Sequence, residues 1–149
     1  QKFRNTLRKK MIEFNYLTDF RLKNESIVKD WILNIINSEG REEGDIIYIF
    51  CDDKYLHKLN VEFLNHDTLT DIISFDYGMS KQINGEIYIS IERVLENSVD
   101  FKTKFEDELH RVMIHGILHF CGYKDKSDNE EKCMRKKEDE SLQKLSEID

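Results

Sequence analysis

The stretch DIIYIFCDDKYLHKLNVEF, residues 45–63, decides the fold class. Its first seven residues are rich in β-branched and aromatic side chains and predict a short buried strand. An Asp-Asp pair then begins a helix in which Leu56, Leu59 and Phe63 recur at spacings of three and four. Because a helix follows this strand, a hairpin is excluded at that point, and part of the sheet is expected to be parallel.

The segments on either side continue the alternation of strands and helices. Alternating apolar residues predict a first strand over residues 11–16. Asn24 and its neighbours offer caps for a helix that ends near Gly40. Beyond residue 63, the stretches 70–77 and 85–91 predict two further strands joined by a turn.

The C-terminal half is predicted to be mainly helical. Residues 92–98 indicate a short helix, and apolar residues at helical spacing run from Lys102 to Gly122, where a glycine suits the left-handed conformation that ends many helices. Asp128 can cap a last, highly charged helix. We therefore predict a single α+β domain with a mixed sheet of about four strands packed against several helices.

Length and composition exclude several classes of protein. The chain has 149 residues, 39% of them hydrophobic, which fits one domain with an adequate core. Apolar stretches such as residues 31–36 are far shorter than the ~20 residues of a transmembrane helix. A net charge of −7 argues against a general nucleic-acid coat but not against an enzyme with a local basic groove. Three cysteines without a C-x-x-C pattern favour a reducing cytoplasm over a disulfide framework.

Residues 1–10 are interpreted as an N-terminal extension, with the domain spanning residues 11–149. The extension is basic and lacks the apolar segment of a secretory signal. A cloning remnant or a misassigned start is favoured over a functional basic arm.

Two histidines in the C-terminal half have the spacing of a metal site. His115 and His119 are four residues apart, so both rings project from one face of the predicted helix. Gly116 leaves room beside them, and a helix end at Gly122 allows the chain to turn back and bring Asp125 to the same point. Two imidazoles, one carboxylate and an open position are typical of catalytic zinc sites. We predict that His115, His119 and Asp125 form a metal centre at the end of this helix.

The same residues allow a plainer interpretation. Histidines four residues apart also arise by chance, and a buried histidine is often only hydrogen-bonded. The pattern is not H-E-x-x-H, because Gly116 stands where metalloproteases carry their glutamate, which disfavours peptide hydrolysis. His110 lies about 140° round the helix from His115, so we expect it to support the site or to be exposed. Cys121 is expected to pack rather than to bind metal.

Three sequence blocks resemble one protein family. Residues 115–125, H-G-I-L-H-F-C-G-Y-K-D, resemble the signature H-G-x-L-H-x-x-G-Y-D-H of the YbeY endoribonuclease family. Leu-Asn at residues 59–60 and T-D-I-I-S-F at residues 70–75 are similar to the family's L-N and T-D-V-L-S-F. G-E-I-Y-I-S at residues 85–90 is similar to its G-D-I-x-I-S. The blocks follow the family's order and spacing over about residues 11–147.

The resemblance implies a metal-dependent endoribonuclease, usually with one zinc ion, that cuts single-stranded RNA. It further implies a cytoplasmic role in maturation of ribosomal RNA, at the 3′ end of 16S RNA, and in ribosome quality control. The small ribosomal subunit is the implied partner, with no DNA and no membrane. His115 and His119 carry over as metal ligands.

Two residues depart from the family pattern. Asp125 aligns with a third histidine ligand; a carboxylate binds the cation but makes it a weaker Lewis acid, and the resulting set also suits iron or nickel. Leu64 stands where the family often has an arginine, which is a natural anchor for phosphate. We expect weaker RNA binding unless His66, Lys124 or Lys126 takes over that role.

Four further residues are candidates for the substrate cleft. Asp71 and Ser74 lie on a predicted strand and are candidates for catalysis, although a turn cap and a backbone-bonded hydroxyl are equally plausible roles. Tyr123 is the candidate for stacking on a base, and Lys124 for contacting the substrate.

Other conspicuous residues have ordinary interpretations. Phe75 and Phe120 fall in apolar patterns and are expected in the core, whereas Glu106 and Glu108 are expected to be solvated. The charged segment 132–140 predicts a solvated last helix, with contact between its basic half and ribosomal RNA as a minor alternative.

Three functions remain open. The leading one is the metal-dependent endoribonuclease. The second is a ribosome-assembly factor that binds RNA or protein and whose metal site is structural, an alternative favoured by Leu64. The third is a metal hydrolase acting on another phosphoester or an amide.

Overall fold

The computed structural model describes residues 11–78 and 80–148, so the predicted N-terminal extension lies outside the described residues. Every element predicted between residues 11 and 148 is present, and β2 and β4 each begin three residues earlier than expected. The elements in chain order are β1 (Ile12–Tyr16), α1 (Glu25–Ser38), β2 (Glu42–Cys51), α2 (Asp53–Leu64), β3 (Ile72–Asp76), β4 (Gln82–Ser90), α3 (Ile91–Asp100), α4 (Phe105–Phe120) and α5 (Asp128–Ile148).

The four strands form one mixed sheet in the order β1-β2-β4-β3. β1 pairs parallel with β2, and β2 pairs parallel with β4, each after a connection that contains a helix. β3 and β4 form an antiparallel hairpin in which Ser74 lies opposite Ile87. The predicted α+β class and the partly parallel sheet are therefore confirmed.

The larger hydrophobic core lies between one face of the sheet and the helices α1, α4 and α5. Trp31 is fully buried there and its indole N–H donates to the backbone oxygen of Ser141 at 2.7 Å, which joins α1 to α5. On the other face, α2 covers a small cluster that includes Leu56 and Ile73. Within the described residues, no helix is both long and apolar enough to cross a bilayer.

Two predicted helix caps differ in the structure. Asn24 precedes α1 in a left-handed conformation and its side chain makes no capping hydrogen bond. Before α5 the capping residue is Ser127 and not Asp128: its hydroxyl accepts from the N–H of Glu130, whose carboxylate accepts in return from the N–H of Ser127. This reciprocal arrangement satisfies two free N–H groups, which Asp128 inside the helix does not. The predicted start of α2 at the Asp-Asp pair is confirmed, and Asp52 caps the helix by accepting from the N–H of Tyr55 at 2.8 Å.

α4 approaches the sheet closely at Gly116. A Cβ atom at this position would lie 2.9 Å from Cδ1 of Ile87 and 3.2 Å from Cδ1 of Ile72. The sequence analysis expected Gly116 to leave room beside the histidines. In the structure, the missing side chain instead allows the helix to pack closely on the sheet. Gly122 ends the helix with φ of +104°, as predicted.

Candidate metal centre

The C-terminal end of α4 brings the three predicted metal ligands together. His115 and His119 lie one helical turn apart on a half-buried face, with ring centroids 4.5 Å apart. The turn after Gly122 then returns Asp125 to the same point. One ligand atom from each of these three residues lies within 4.8 Å of the others, so the group could hold a metal ion.

Hydrogen bonds orient both imidazole rings. Nδ1 of His115 lies 2.6 Å from the carboxylate of Glu138, and Nδ1 of His119 lies 2.9 Å from the backbone oxygen of Tyr123. Both partners are acceptors, so each Nδ1 carries the proton and donates it. In the neutral rings, each Nε2 then presents its lone pair to the cleft, the orientation that a metal requires.

The distances around Asp125 fit a cation of zinc size. Its Oδ2 atom lies 3.3 Å from Nε2 of His115 and 3.2 Å from Nε2 of His119. Two lone pairs and a carboxylate oxygen at this separation repel one another unless a cation or protons lie between them. A tetrahedron with metal–ligand distances of about 2.0–2.1 Å has edges of about 3.3–3.4 Å. The two distances from Asp125 to the imidazole nitrogens therefore match the edges of such a tetrahedron.

A buried ion-pair network supports His115 from behind. Glu138 is 5% exposed and also accepts from Arg111 at 2.8 Å, while Arg111 reaches Asp139 at 2.7 Å. Burial alone would raise the pKa of Glu138, but the hydrogen bonds from His115 and Arg111 lower it. Burial favours the neutral form of His115, yet Glu138 and the nearby carboxylates outweigh it and raise the pKa of the ring.

The metal centre opens into a cleft of about 560 Å³. The cleft lies between the end of α2, the start of β3, the end of α3 and the faces of α4 and α5. Four carboxylates and two guanidinium groups line its described part, so negative charge is in excess until a divalent cation balances it. These groups belong to Asp71, Glu108, Asp125, Glu138, Arg111 and Arg135.

The structure places three of the remaining predicted residues in this cleft. Asp71, Ser74 and Leu64 all line it. Tyr123 and Lys124 are not among its described lining residues; the Tyr123 hydroxyl donates to Glu39 at 2.8 Å. The roles of these five residues in catalysis or RNA binding stay predictions.

Asp71 is a half-buried carboxylate of the cleft. It lies immediately before β3, and the amide of Asn97 donates to its Oδ2 atom at 3.4 Å. Burial raises the pKa of Asp71, against the opposing effects of the His115 charge and of this hydrogen bond. The sequence contains the residue but not its partial burial or its contact with Asn97, which depend on the tertiary structure.

Two polar residues near the predicted ligands have packing roles. His110 places its ring edge-on against Trp31, with centroids 5.8 Å apart, on the core side of α4. Cys121 packs against the main core, and burial raises the pKa of its thiol to about 11. The expectation that Cys121 packs is therefore confirmed.

Two glutamates that were expected to be solvated are buried in the structure. Glu108 is 7% exposed and lines the cleft, whereas Glu106 is exposed as expected. Glu138, within the charged segment, is buried because it shares the inner face of α5 with Met134 and Leu145. That spacing was visible in the sequence, but the pairing with His115 depends on how α5 crosses α4.

Fold and site together define a class: a single-domain α+β protein whose two histidines and one carboxylate form a metal-binding group open to a cleft, as in metal-dependent hydrolases. The family model described as Endoribonuclease YbeY matches residues 13–146. The chain belongs to the endoribonuclease YbeY family. The predicted enzyme class, an endoribonuclease that hydrolyses phosphodiester bonds, is confirmed by this membership.

Curated relatives and a solved structure agree with this assignment. Endoribonuclease YbeY of Flavobacterium johnsoniae is 61% identical over 132 residues, covering 89% of this chain and 95% of the relative. That of Christiangramia forsetii is 54% identical over 132 residues, covering 87% of this chain and 92% of the relative. The solution structure of TM1509 from Thermotoga maritima is 28% identical with a TM-score of 0.65, covering 91% of this chain and 89% of that one.

Proposed function

We propose that this protein cleaves single-stranded RNA with one zinc ion held by His115, His119 and Asp125, in the maturation of ribosomal RNA at the 3′ end of 16S RNA. The observation that carries the proposal is the pair of oriented histidines whose Nε2 atoms meet the Asp125 carboxylate in an open cleft. Family membership supports RNA as the substrate. The small ribosomal subunit, ribosome quality control and the cytoplasm belong to the same proposal.

The choice of metal rests on the donor set. Zinc accepts two imidazoles and one carboxylate at tetrahedral spacing, while the same set also suits iron or nickel. When bound, such an ion supplies Lewis acidity to a phosphoryl oxygen and lowers the pKa of water. Relative metal content after purification from cells, measured by mass spectrometry, distinguishes these ions.

The protein's own groups orient the ligands and handle the proton. Glu138 fixes the tautomer of His115, so that Nε2 stays free for the ion. Asp71, which lines the cleft and whose pKa is raised by burial, is suited to take a proton from the attacking oxygen and to return it to the leaving oxygen. Ser74 offers a hydroxyl to a phosphate oxygen from the same wall of the cleft.

Leu64 offers no positive charge to the RNA backbone, so the positive charge of the cleft comes from Arg111 on α4 and Arg135 on α5. Arg111 is held by Glu138 and Asp139 and has little freedom to bind phosphate. Arg135 is more available, because its side chain is 62% exposed and its contact with Glu138 is 3.9 Å long. We therefore assign the phosphate contact to Arg135.

RNA cleavage tests the proposed function directly. We expect zinc-loaded protein to cut an unstructured RNA, and His115→Ala protein purified in the same way to leave it intact. Equal cutting by both preparations would indicate a contaminating nuclease, whereas no cutting by either would contradict the proposed function. The product ends then separate attack by water from attack by the ribose 2′-hydroxyl, since the second route leaves a cyclic phosphate.

A second function is favoured by one observation. Leu64 lines the cleft and carries no charge, which suits a ribosome-assembly factor that binds without cutting. Under this alternative, wild-type protein co-sediments with the small subunit in a salt-dependent manner but leaves RNA intact. Leu64→Arg adds a guanidinium to the cleft and is expected to raise RNA affinity; no gain would remove the argument that Leu64 weakens binding.

A further inference from the structure

The cleft contains an aromatic surface that the proposed cleavage steps do not use. Phe101 lines the cleft and is 61% exposed. Among the described lining residues it is the one phenylalanine, with no tyrosine or tryptophan beside it. An exposed apolar residue has no functional meaning by itself, because much of any protein surface is apolar. Phe101 differs because it shares a cleft with the metal ligands and with Asp71.

The backbone holds Phe101 in a fixed position. Phe101 is the C-cap residue of α3, and its N–H donates to the backbone oxygen of Asn97 at 2.9 Å. Lys102 then leaves the helix with φ of +57°. Asn97, one turn earlier, lines the same cleft and donates to Asp71. The ring therefore projects from a hydrogen-bonded helix end, one helical turn from the residue that contacts Asp71.

The chemistry of the cleft matches a single nucleotide. α2 and α3 begin side by side, since Asp53 accepts from Ser90 and Arg93, and the residues at their far ends, Leu64 and Phe101, line the cleft. They give it apolar surface, while Arg135 and the metal ligands give it polar surface. An unpaired nucleotide has a flat apolar base, which can contact the apolar surface, and an anionic phosphate, which can contact the polar surface.

We propose that Phe101 is a stacking platform for an unpaired RNA base beside the metal centre. This inference rests on the proposed RNA-cleaving function. A duplex keeps its bases inside the helix and cannot use the ring, so stacking at Phe101 also accounts for a preference for single strands.

Binding of two matched oligomers tests the inference. The first is a short oligoadenylate with 2′-O-methyl groups, and the second is an abasic oligomer with the same number of phosphates. We expect Phe101→Ala to weaken binding of zinc-loaded protein to oligoadenylate roughly tenfold, within the range for loss of one stacked base. Binding of the abasic oligomer stays unchanged. Val99→Ala is the control, because Val99 is 69% exposed near the same helix end but is not a lining residue.

A second variant reports the contact without a loss of function. Phe101→Trp keeps the affinity for oligoadenylate, and its fluorescence is quenched by that oligomer and not by the abasic one. The natural Trp31 is fully buried and gives a constant background. The stacking role would be overturned if Phe101→Ala weakened binding of both oligomers equally, or weakened binding of neither. Unchanged binding of both is also the result expected if Phe101 instead contacts a partner protein. Absence of RNA cutting by the wild type would instead overturn the proposed function.

Discussion

Glu138 is the residue through which the rest of the protein acts on the metal centre. Its carboxylate holds Nδ1 of His115, although 23 residues separate the two in sequence. We expect Glu138→Gln to lower zinc affinity about 10–100-fold, the usual effect of losing a carboxylate that orients a histidine ligand. Competition with a chromophoric chelator measures the affinity. Glu140→Gln, an exposed position on the same helix, is expected to leave it unchanged.

Asp125 is the proposed ligand whose identity sets this chain apart from the family pattern. Asp125→Ala leaves two imidazoles for the ion, so we expect zinc affinity to fall about a hundredfold or more. Asp125→His restores the family ligand and is expected to retain zinc. Chelator competition and metal content measure both variants, with the exposed neighbour Asp128→Ala as control. Unchanged metal content in Asp125→Ala would exclude Asp125 as a ligand.

Single residues also mark the limit of what the sequence could predict. His115, His119 and Asp125 lie within one short segment, so helical spacing and one glycine-ended turn were enough to bring them together. Glu138 belongs to another helix, and the packing angle of α5 on α4 decides which carboxylate reaches the ring. No local pattern in one sequence contains that angle.

Among the elements, β4 is the inner strand of the sheet on which the end of α4 packs. Its Gly85 lies under Phe120 at the end of α4, and a Cβ atom there would lie 2.6 Å from the Phe120 ring and 2.6 Å from the backbone oxygen of Phe75. Gly85→Ala must therefore move the β3 backbone or α4. We expect a loss of about 1–3 kcal/mol in the free energy of unfolding, measured with urea. Asn15→Ala, at an exposed position of the edge strand β1, is the control. A Gly85→Ala variant as stable as the wild type would contradict this close contact.

The elements themselves followed from periodicity, but their order in the sheet did not. Alternating and helical spacings predicted each strand and helix to within a few residues, because burial on one face imposes the pattern directly. The helix between β2 and β3 excluded a hairpin there. It left open that β4 would insert between them, which depends on interactions across the whole sheet.

At the scale of the whole molecule, charge makes RNA binding depend on the metal. The chain carries a net charge of −7, and carboxylates outnumber guanidinium groups in the cleft. Removal of the ion with a chelator is therefore expected to weaken RNA binding about tenfold or more, and added zinc restores it. Fluorescence anisotropy with a labelled RNA measures the affinity. RNA binding that is insensitive to the chelator would place the RNA away from this cleft.

The hydrogen bond between Glu138 and His115 is also expected to affect how fast the bound metal exchanges. The three proposed ligands lie in one short segment and can bind an ion together. Glu138 contacts His115 only when α5 is packed in place, with Ser141 accepting the hydrogen bond from Trp31. Each transient detachment of α5 releases His115 from its support and exposes the ion to exchange. The exchange rate of the bound metal is therefore expected to follow the opening of the last helix, and exchange of an isotope of zinc would report how often that helix detaches.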